Sequence, residues 1–284
     1  MRRKLLIGGS VIAGIVLAAI AYQAPEIAAG GLLHPYRVTA VADTPDGCEE
    51  HQLAVDAMQL SGWRCTTPRN PRRGTIVYLH GIADNRSSSA GVIRRYLPRG
   101  FDVLAYDSRA HGRSEGDICT YGFHEKHDLR RIVDTAAPGR IILFGTSLGA
   151  AIALQEAVDD PRISTIVAAE VFSDLRTVAL ERASILPWWV VDRAFAIAEQ
   201  RGEFTVDEVS PRAAAERLHV PVLLIHGAED RDTPPAHSKQ VYEALRGPKR
   251  LLLVEGAGHN ASLSAPAAWD VIDEWIGGSQ REGV

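Results

Sequence analysis

The sequence predicts an α/β fold: a mostly parallel central sheet with helices on both faces and a small helical cap, behind an N-terminal transmembrane or signal segment. Three observations predict it. From about Arg37 onward, short β-rich runs alternate with helical patterns, as βαβ units do. Two of the runs, Thr75 to Leu79 and Val222 to Ile225, are continuously apolar, as strands covered on both faces are. At the start of the chain, a basic end, Arg2-Arg3-Lys4, precedes an uncharged run from Leu5 to Ala21.

That first run is an address. As a helix it would span about 26 Å, slightly short of a hydrocarbon core. A signal peptide would be cleaved at Ala19-Ile20-Ala21. A signal anchor would be kept, with its basic end in the cytoplasm. The run exceeds the usual length of a cleaved apolar region, which favours the anchor. In both cases the rest of the chain lies outside the cytoplasm, membrane-anchored as a single-pass protein or secreted. The chain then divides into residues 1–22 as anchor or signal, 23–36 as a linker containing Pro25, Gly30-Gly31 and Pro35, and 37–284 as one domain.

Along the domain, strands are expected at Met58–Cys65, Thr75–His80, Asp102–Asp107, Arg140–Gly145, Thr165–Ala169, Val222–Gly227 and Arg250–Glu255. Helices are expected at Ser88–Leu97, His124–Thr135, Leu148–Val158, His237–Leu245 and Ala265–Ile276. The alternation breaks between about 171 and 220, far longer than an ordinary βα connection. Pro187-Trp188-Trp189 lies inside this stretch and Ser210-Pro211 closes it, so it reads as a helical cap over a site.

Composition excludes several classes. A net charge of −4 argues against a nucleic-acid binder, which would carry a basic patch or stripe. Three scattered cysteines, Cys48, Cys65 and Cys119, make neither a disulfide framework nor a zinc site. In an exported domain Cys48 and Cys65 are candidates for one bridge; three unpaired thiols is the other reading. His124-Glu125-Lys126-His127-Asp128 lacks the second histidine at the spacing a zinc helix needs, and reads as the exposed start of a helix. No phosphate-binding glycine loop is present, and no metal or organic cofactor is expected.

The most specific signal is Gly145-Thr146-Ser147-Leu148-Gly149, set between the apolar run Ile141 to Phe144 and a helical run beginning at Leu148. Strand, Gly-x-Ser-x-Gly and helix together form a nucleophile elbow, in which the glycines let the helix approach the strand. Serine is a weak nucleophile and needs a base oriented by an acid. The acid candidate is Asp230, on the turn after Val222–Gly227, with Glu229, Asp232 and Asp174 as rivals. The base candidate is His259, in Gly256-Ala257-Gly258-His259-Asn260 after the last strand. The N–H groups of Leu148 and Ile82 are the expected oxyanion donors. Ile82 lies in the loop His80-Gly81-Ile82, where His80 reads as a structural brace. Tyr106 to Ser114 reads as a structural loop, with Asp107 and Arg109 forming hydrogen bonds near the elbow.

These motifs, His80-Gly81, Asp107 to Ser114, Gly145 to Gly149, His226 to Asp230 and Gly258-His259, resemble those of the α/β-hydrolases. The resemblance covers roughly Arg37 to Ile276. More narrowly, the chain is similar to the branch containing serine aminopeptidases, monoacylglycerol-lipase-like enzymes and membrane-tethered α/β-hydrolase domain proteins. It implies a serine hydrolase acting through a Ser147-Asp230-His259 triad and an acyl-enzyme. The cap aromatics, Phe172, Trp188 and Trp189 foremost, are candidates for an acyl pocket, which favours a hydrophobic ester or lipid-like substrate. They pack the cap onto the domain in the other reading. Alternatives are an aminopeptidase, which needs a cap carboxylate such as Glu181, Asp192, Glu199 or Glu203 for the substrate amine, and a tethered, non-catalytic binding protein.

Overall fold

The computed structural model describes residues 22–278. The chain forms one eight-stranded sheet, ordered β1-β2-β4-β3-β5-β6-β7-β8. Residues 22–33 are helical (α1). β1 (Cys48–Val55), β2 (Met58–Cys65) and β3 (Gly74–Leu79) follow. Then come α2 (Ala90–Tyr96), β4 (Phe101–Tyr106), α3 (Glu125–Asp134), β5 (Ile141–Thr146), α4 (Leu148–Glu156) and β6 (Ile163–Ala169). The cap holds α5 (Leu175–Arg182), α6 (Trp188–Gly202) and α7 (Pro211–Ala215). The chain returns through β7 (Val222–Gly227), α8 (Ala236–Ala244), β8 (Lys249–Val254) and α9 (Pro266–Gly278). Each expected strand and helix is present, with ends within two residues of those read from sequence.

Two elements were not read. β1 is an edge strand whose polar sequence, CEEHQLAV, is mostly half-buried or exposed, so it lacks an apolar run. It pairs antiparallel with β2 through a two-residue turn in which Asp56 takes φ 52°. A Cys48–Cys65 disulfide joins the opposite end of this hairpin, and Cys119 is free and buried. α1 replaces most of the expected linker over 23–36. Pro25 sits near its start, where a missing N–H costs little. Burial of Ala29 and Leu33, both fully enclosed, outweighs the poor helix propensity of Gly30-Gly31. The Leu33 carbonyl accepts from Cys119 N, and the Leu32 carbonyl from the Tyr121 hydroxyl. The expected membrane or signal segment falls on residues 1–21, outside those described. Among the described residues, no helix is long and apolar enough to cross a membrane.

The core lies in two layers. Along β5, Ile141 and Leu143 face the cluster formed with α3, α4 and the cap, while Ile142 and Phe144 face the cluster formed with α2 and α9. α4 is buried along its whole length, so it carries no polar stripe. β3 to β8 run parallel, which brings the loops after β3, β5, β6, β7 and β8 to one edge. Open α/β sheets bind ligands at that edge.

Candidate active site

Ser147 occupies the turn between β5 and α4 at φ 48° and ψ −109°. A side chain in this region costs on the order of 1–3 kcal/mol and persists only where its surroundings impose it. Here they do. Ser147 N donates to the Ala169 carbonyl at 2.8 Å, and its own carbonyl accepts from Ala151 N at 3.1 Å. A β-carbon on Gly145 would lie 2.4 Å from the Gly149 carbonyl, and one on Gly149 would lie 2.2 Å from the Leu79 carbonyl oxygen. Only glycine fits at either position. As the first residue of α4, Leu148 has an N–H with no intrahelical acceptor.

The loop after β3 comes up against this turn: a β-carbon on Gly81 would sit 3.6 Å from the Ser147 β-carbon. Buried His80 fixes the loop. Its Nε2 accepts from Ser108 N at 2.9 Å, so Nδ1 carries the proton and donates to the Gly81 carbonyl at 2.7 Å. The peptide is planar, so a Gly81 carbonyl turned toward His80 sends the Ile82 N–H the opposite way. Ile82 and Leu148 belong to one apolar cluster.

Asp230 and His259 come together. His259 Nδ1 lies 2.7 Å from Asp230 Oδ2, and the Asp230 side chain is fully buried. Asp230 Oδ1 accepts from the backbone N–H groups of Asp232 and Thr233, both at 2.9 Å. The rivals point elsewhere. Glu229 and Asp232 are exposed, while Asp174 accepts from Ser210 Oγ and pairs with Arg212 inside the cap. The acid turn and the histidine loop are locked: Glu229 N donates to the Ala257 carbonyl, and a β-carbon on Gly227 would lie 2.4 Å from the same oxygen. The Ser147 hydroxyl makes no hydrogen bond to His259 among the described residues; such contacts commonly tighten only when substrate binds.

Around this edge, buried ion pairs hold the neighbouring loops. Asp107 pairs with fully buried Arg86 at 2.7 Å, and Arg109 makes two 2.7 Å bonds to Asp128. The sequence suggested an exposed start for α3; His127 is exposed, but Glu125 and Asp128 are buried. Glu125 is buried because its carboxylate closes the Thr120–Gly122 turn, accepting from Thr120 N, Thr120 Oγ1 and Gly122 N.

Under the cap lies an apolar pocket of about 310 Å³. Leu175, Val178 and Arg182 of α5, Val191 and Phe195 of α6, and Leu32 of α1 are among its walls. Ser147, Asp230 and His259 are not among the lining residues. The pocket borders their edge through Arg182, which bonds to the Asp232 carbonyl and Thr233 Oγ1 on the acid turn. The expected aromatic lining is displaced. Trp188 and Trp189 stand on the outer surface, since α6 turns its Val191 and Phe195 side inward. Phe172 is buried edge-on against the pocket residue Tyr121, at 6.4 Å between ring centres, and does not line the space itself.

A family model described as the alpha/beta hydrolase fold matches residues 74–210, and one described as TAP-like protein matches 200–281. The chain is 34% identical over 201 residues to "Uncharacterized protein YqkD" of Bacillus subtilis (strain 168), a match covering 67% of this chain and 66% of that one. It is 27% identical over 262 residues to "Uncharacterized protein YfhR" of Escherichia coli (strain K12), covering 88% and 86%. The chain belongs to the α/β-hydrolase superfamily. Solved structures of similar fold include a Pyrococcus furiosus esterase, Pf2001, with a TM-score of 0.68 at 24% identity, covering 87% of this chain and 97% of that one. Another is acetyl xylan esterase 1 of Thermoanaerobacterium sp., with a TM-score of 0.66 at 16% identity, covering 92% and 93%.

Two residues of this α/β-hydrolase edge were given no role by the sequence. His226 Nε2 lies 3.2 Å from Asp230 Oδ2 and 2.8 Å from the Thr233 carbonyl, while Nδ1 meets Ser238 Oγ at 2.6 Å. Burial lowers its pKa, so a neutral imidazole with its proton on Nε2 and Nδ1 accepting from Ser238 fits all three contacts. The spacing of His226 to Asp230 was the available signal. Glu170, buried after β6 at φ 56°, accepts from Ser262 N at 3.1 Å and anchors the loop that follows His259. Nothing in its sequence neighbourhood marks it.

Proposed function

We propose that this α/β-hydrolase is a serine hydrolase that cleaves carboxylic esters with a hydrophobic acyl group. The pairing of buried Asp230 with half-buried His259, on the same sheet edge as Ser147 at its positive φ, carries the reading. His259 takes the Ser147 proton as Oγ attacks the carbonyl carbon. The N–H groups of Leu148 and Ile82 hold the oxyanion, each worth about 3 kcal/mol in comparable sites. The alcohol leaves with the proton from His259. Water, deprotonated by His259, then releases the acid. Asp230 keeps the histidine proton on Nδ1 and balances the imidazolium charge.

The pocket supports an ester over an amine substrate. Among the described residues, its only charged lining side chain is Arg182. Of the cap carboxylates an aminopeptidase would use, Glu181 binds His237, Glu199 caps Val206 N, and Asp192 and Glu203 are exposed. The Cys48–Cys65 bridge is consistent with a domain outside the reducing cytoplasm.

A fluorophosphonate probe tests the reaction class. Wild type should label at Ser147, and Ser147→Ala should lose labelling along with about 10⁵-fold in kcat on a p-nitrophenyl ester. Folded wild type that fails to label refutes the hydrolase reading. Labelling that survives in Ser147→Ala refutes the nucleophile.

A further inference from the structure

Eight large hydrophobic side chains are exposed among the described residues, and five of them, Leu180, Ile185, Leu186, Trp188 and Trp189, lie in one ten-residue stretch of the cap. Ile185 is 91% and Trp188 75% exposed. Two of the other three, Tyr22 and Ile27, lie on α1, which walls the same pocket. Single exposed apolar residues are ordinary; a concentration of this kind marks a surface that is covered in use. We propose that this cap edge docks on a phospholipid bilayer and that the pocket takes its acyl chain from there. The second clause rests on the ester-hydrolase reading.

Four observations favour a bilayer. The indole N–H groups of Trp63, Trp269 and Trp275 each donate to a protein acceptor, but among the described residues those of Trp188 and Trp189 donate to none. An apolar ring with a free polar tip suits the boundary between acyl chains and headgroups. The patch is continuous with the pocket, because Leu186 belongs to both. The chain that enters α1 at Tyr22 comes from the uncharged Leu5–Ala21 run, which lies outside the described residues. Finally, Glu181, Arg182, Asp192 and Arg193 give this edge equal numbers of each sign. Docking therefore runs on apolar burial, and neither added salt nor anionic lipid changes it much.

The test places the full chain with phosphatidylcholine vesicles whose acyl chains carry bromine, and reads tryptophan emission. Wild type should be quenched, and Trp188→Phe/Trp189→Phe should lose at least half of that quenching. Salt should leave both results unchanged. Equal quenching of the two proteins overturns the proposal. So does shielding of these tryptophans that needs no lipid and tracks a concentration-dependent doubling of mass, since a second copy would then cover the patch. The readout follows tryptophan emission and not turnover, so it stands or falls apart from labelling at Ser147.

Discussion

The carboxyl edge of the sheet and the cap meet at Arg182, yet they are built in opposite ways. At the sheet edge each candidate group sits on a short loop that other loops hold in place. Asp230 receives two backbone N–H groups and faces two histidines, and Gly145, Gly149 and Gly227 let backbones approach where a side chain would clash. The cap encloses space instead of fixing atoms. Its helices turn aliphatic side chains toward one pocket and leave tryptophans outside. A reacting edge must hold distances, because a small displacement costs orders of magnitude in rate. A wall around an apolar space need only be apolar and about the right shape.

The sharpest way to break this contrast is Asp230→Asn. The amide oxygen keeps the bonds from Asp232 and Thr233, so the turn should survive. It no longer holds the His259 proton on Nδ1, and kcat should fall about 10⁴-fold. A loss of tenfold or less on the ester substrate would show that the edge is not organised around this pair.

The second effect is on stability, and it also belongs to the sheet edge. His111 packs against His80 with ring centres 5.1 Å apart, and its Nε2 has no partner. Burial, with His80 beside it, lowers its pKa from 6.5 to about 4. Burial lowers His226 as well. A histidine depressed in the fold favours folding while it is neutral. That contribution is complete above the unfolded value of 6.5 and disappears as pH falls toward about 4. For His111 this is on the order of 3 kcal/mol. Urea midpoints at about pH 7 and about pH 4.5 should therefore separate more for wild type than for His111→Gln. An equal separation would remove His111 from the account.

The smallest effect is expected in the cap. Ala179 lines the pocket and is only partly buried, so Ala179→Phe should shorten the space without unfolding α5. Long-chain esters should lose about tenfold in kcat/KM relative to short-chain esters. If all chain lengths fall together, Arg182 is transmitting cap strain to the acid turn, and the two regions are less separate than their construction suggests.

The sequence was most readable where local chemistry is restrictive. The elbow needs two glycines around a serine, and both prove sterically required. β3 and β7 announce themselves because both of their faces are covered. Reading failed where the cause is distant. β1 is polar and held by pairing with β2 and by the Cys48–Cys65 bridge. α1 carries Pro25 and two glycines, and is helical because Ala29 and Leu33 find a core. Glu125 looks like a surface acid until the Thr120–Gly122 turn folds onto it.

By itself the sequence determined the fold class, the order of the strands in the chain, and Ser147, Asp230 and His259 as the groups to watch. These depend on short-range needs: apolar periodicity, room for a tight turn, and the types of side chain that move protons. Only the tertiary structure shows which of the four carboxylates meets His259: Asp230 is buried 2.7 Å from it, while Glu229 and Asp232 are exposed and Asp174 pairs with Arg212. It alone sent Trp188 and Trp189 outward and brought α1 to the pocket wall. Which face of a helix is inside depends on what packs against it, and some of those partners, such as Leu32 of α1 for α6, lie far away along the chain.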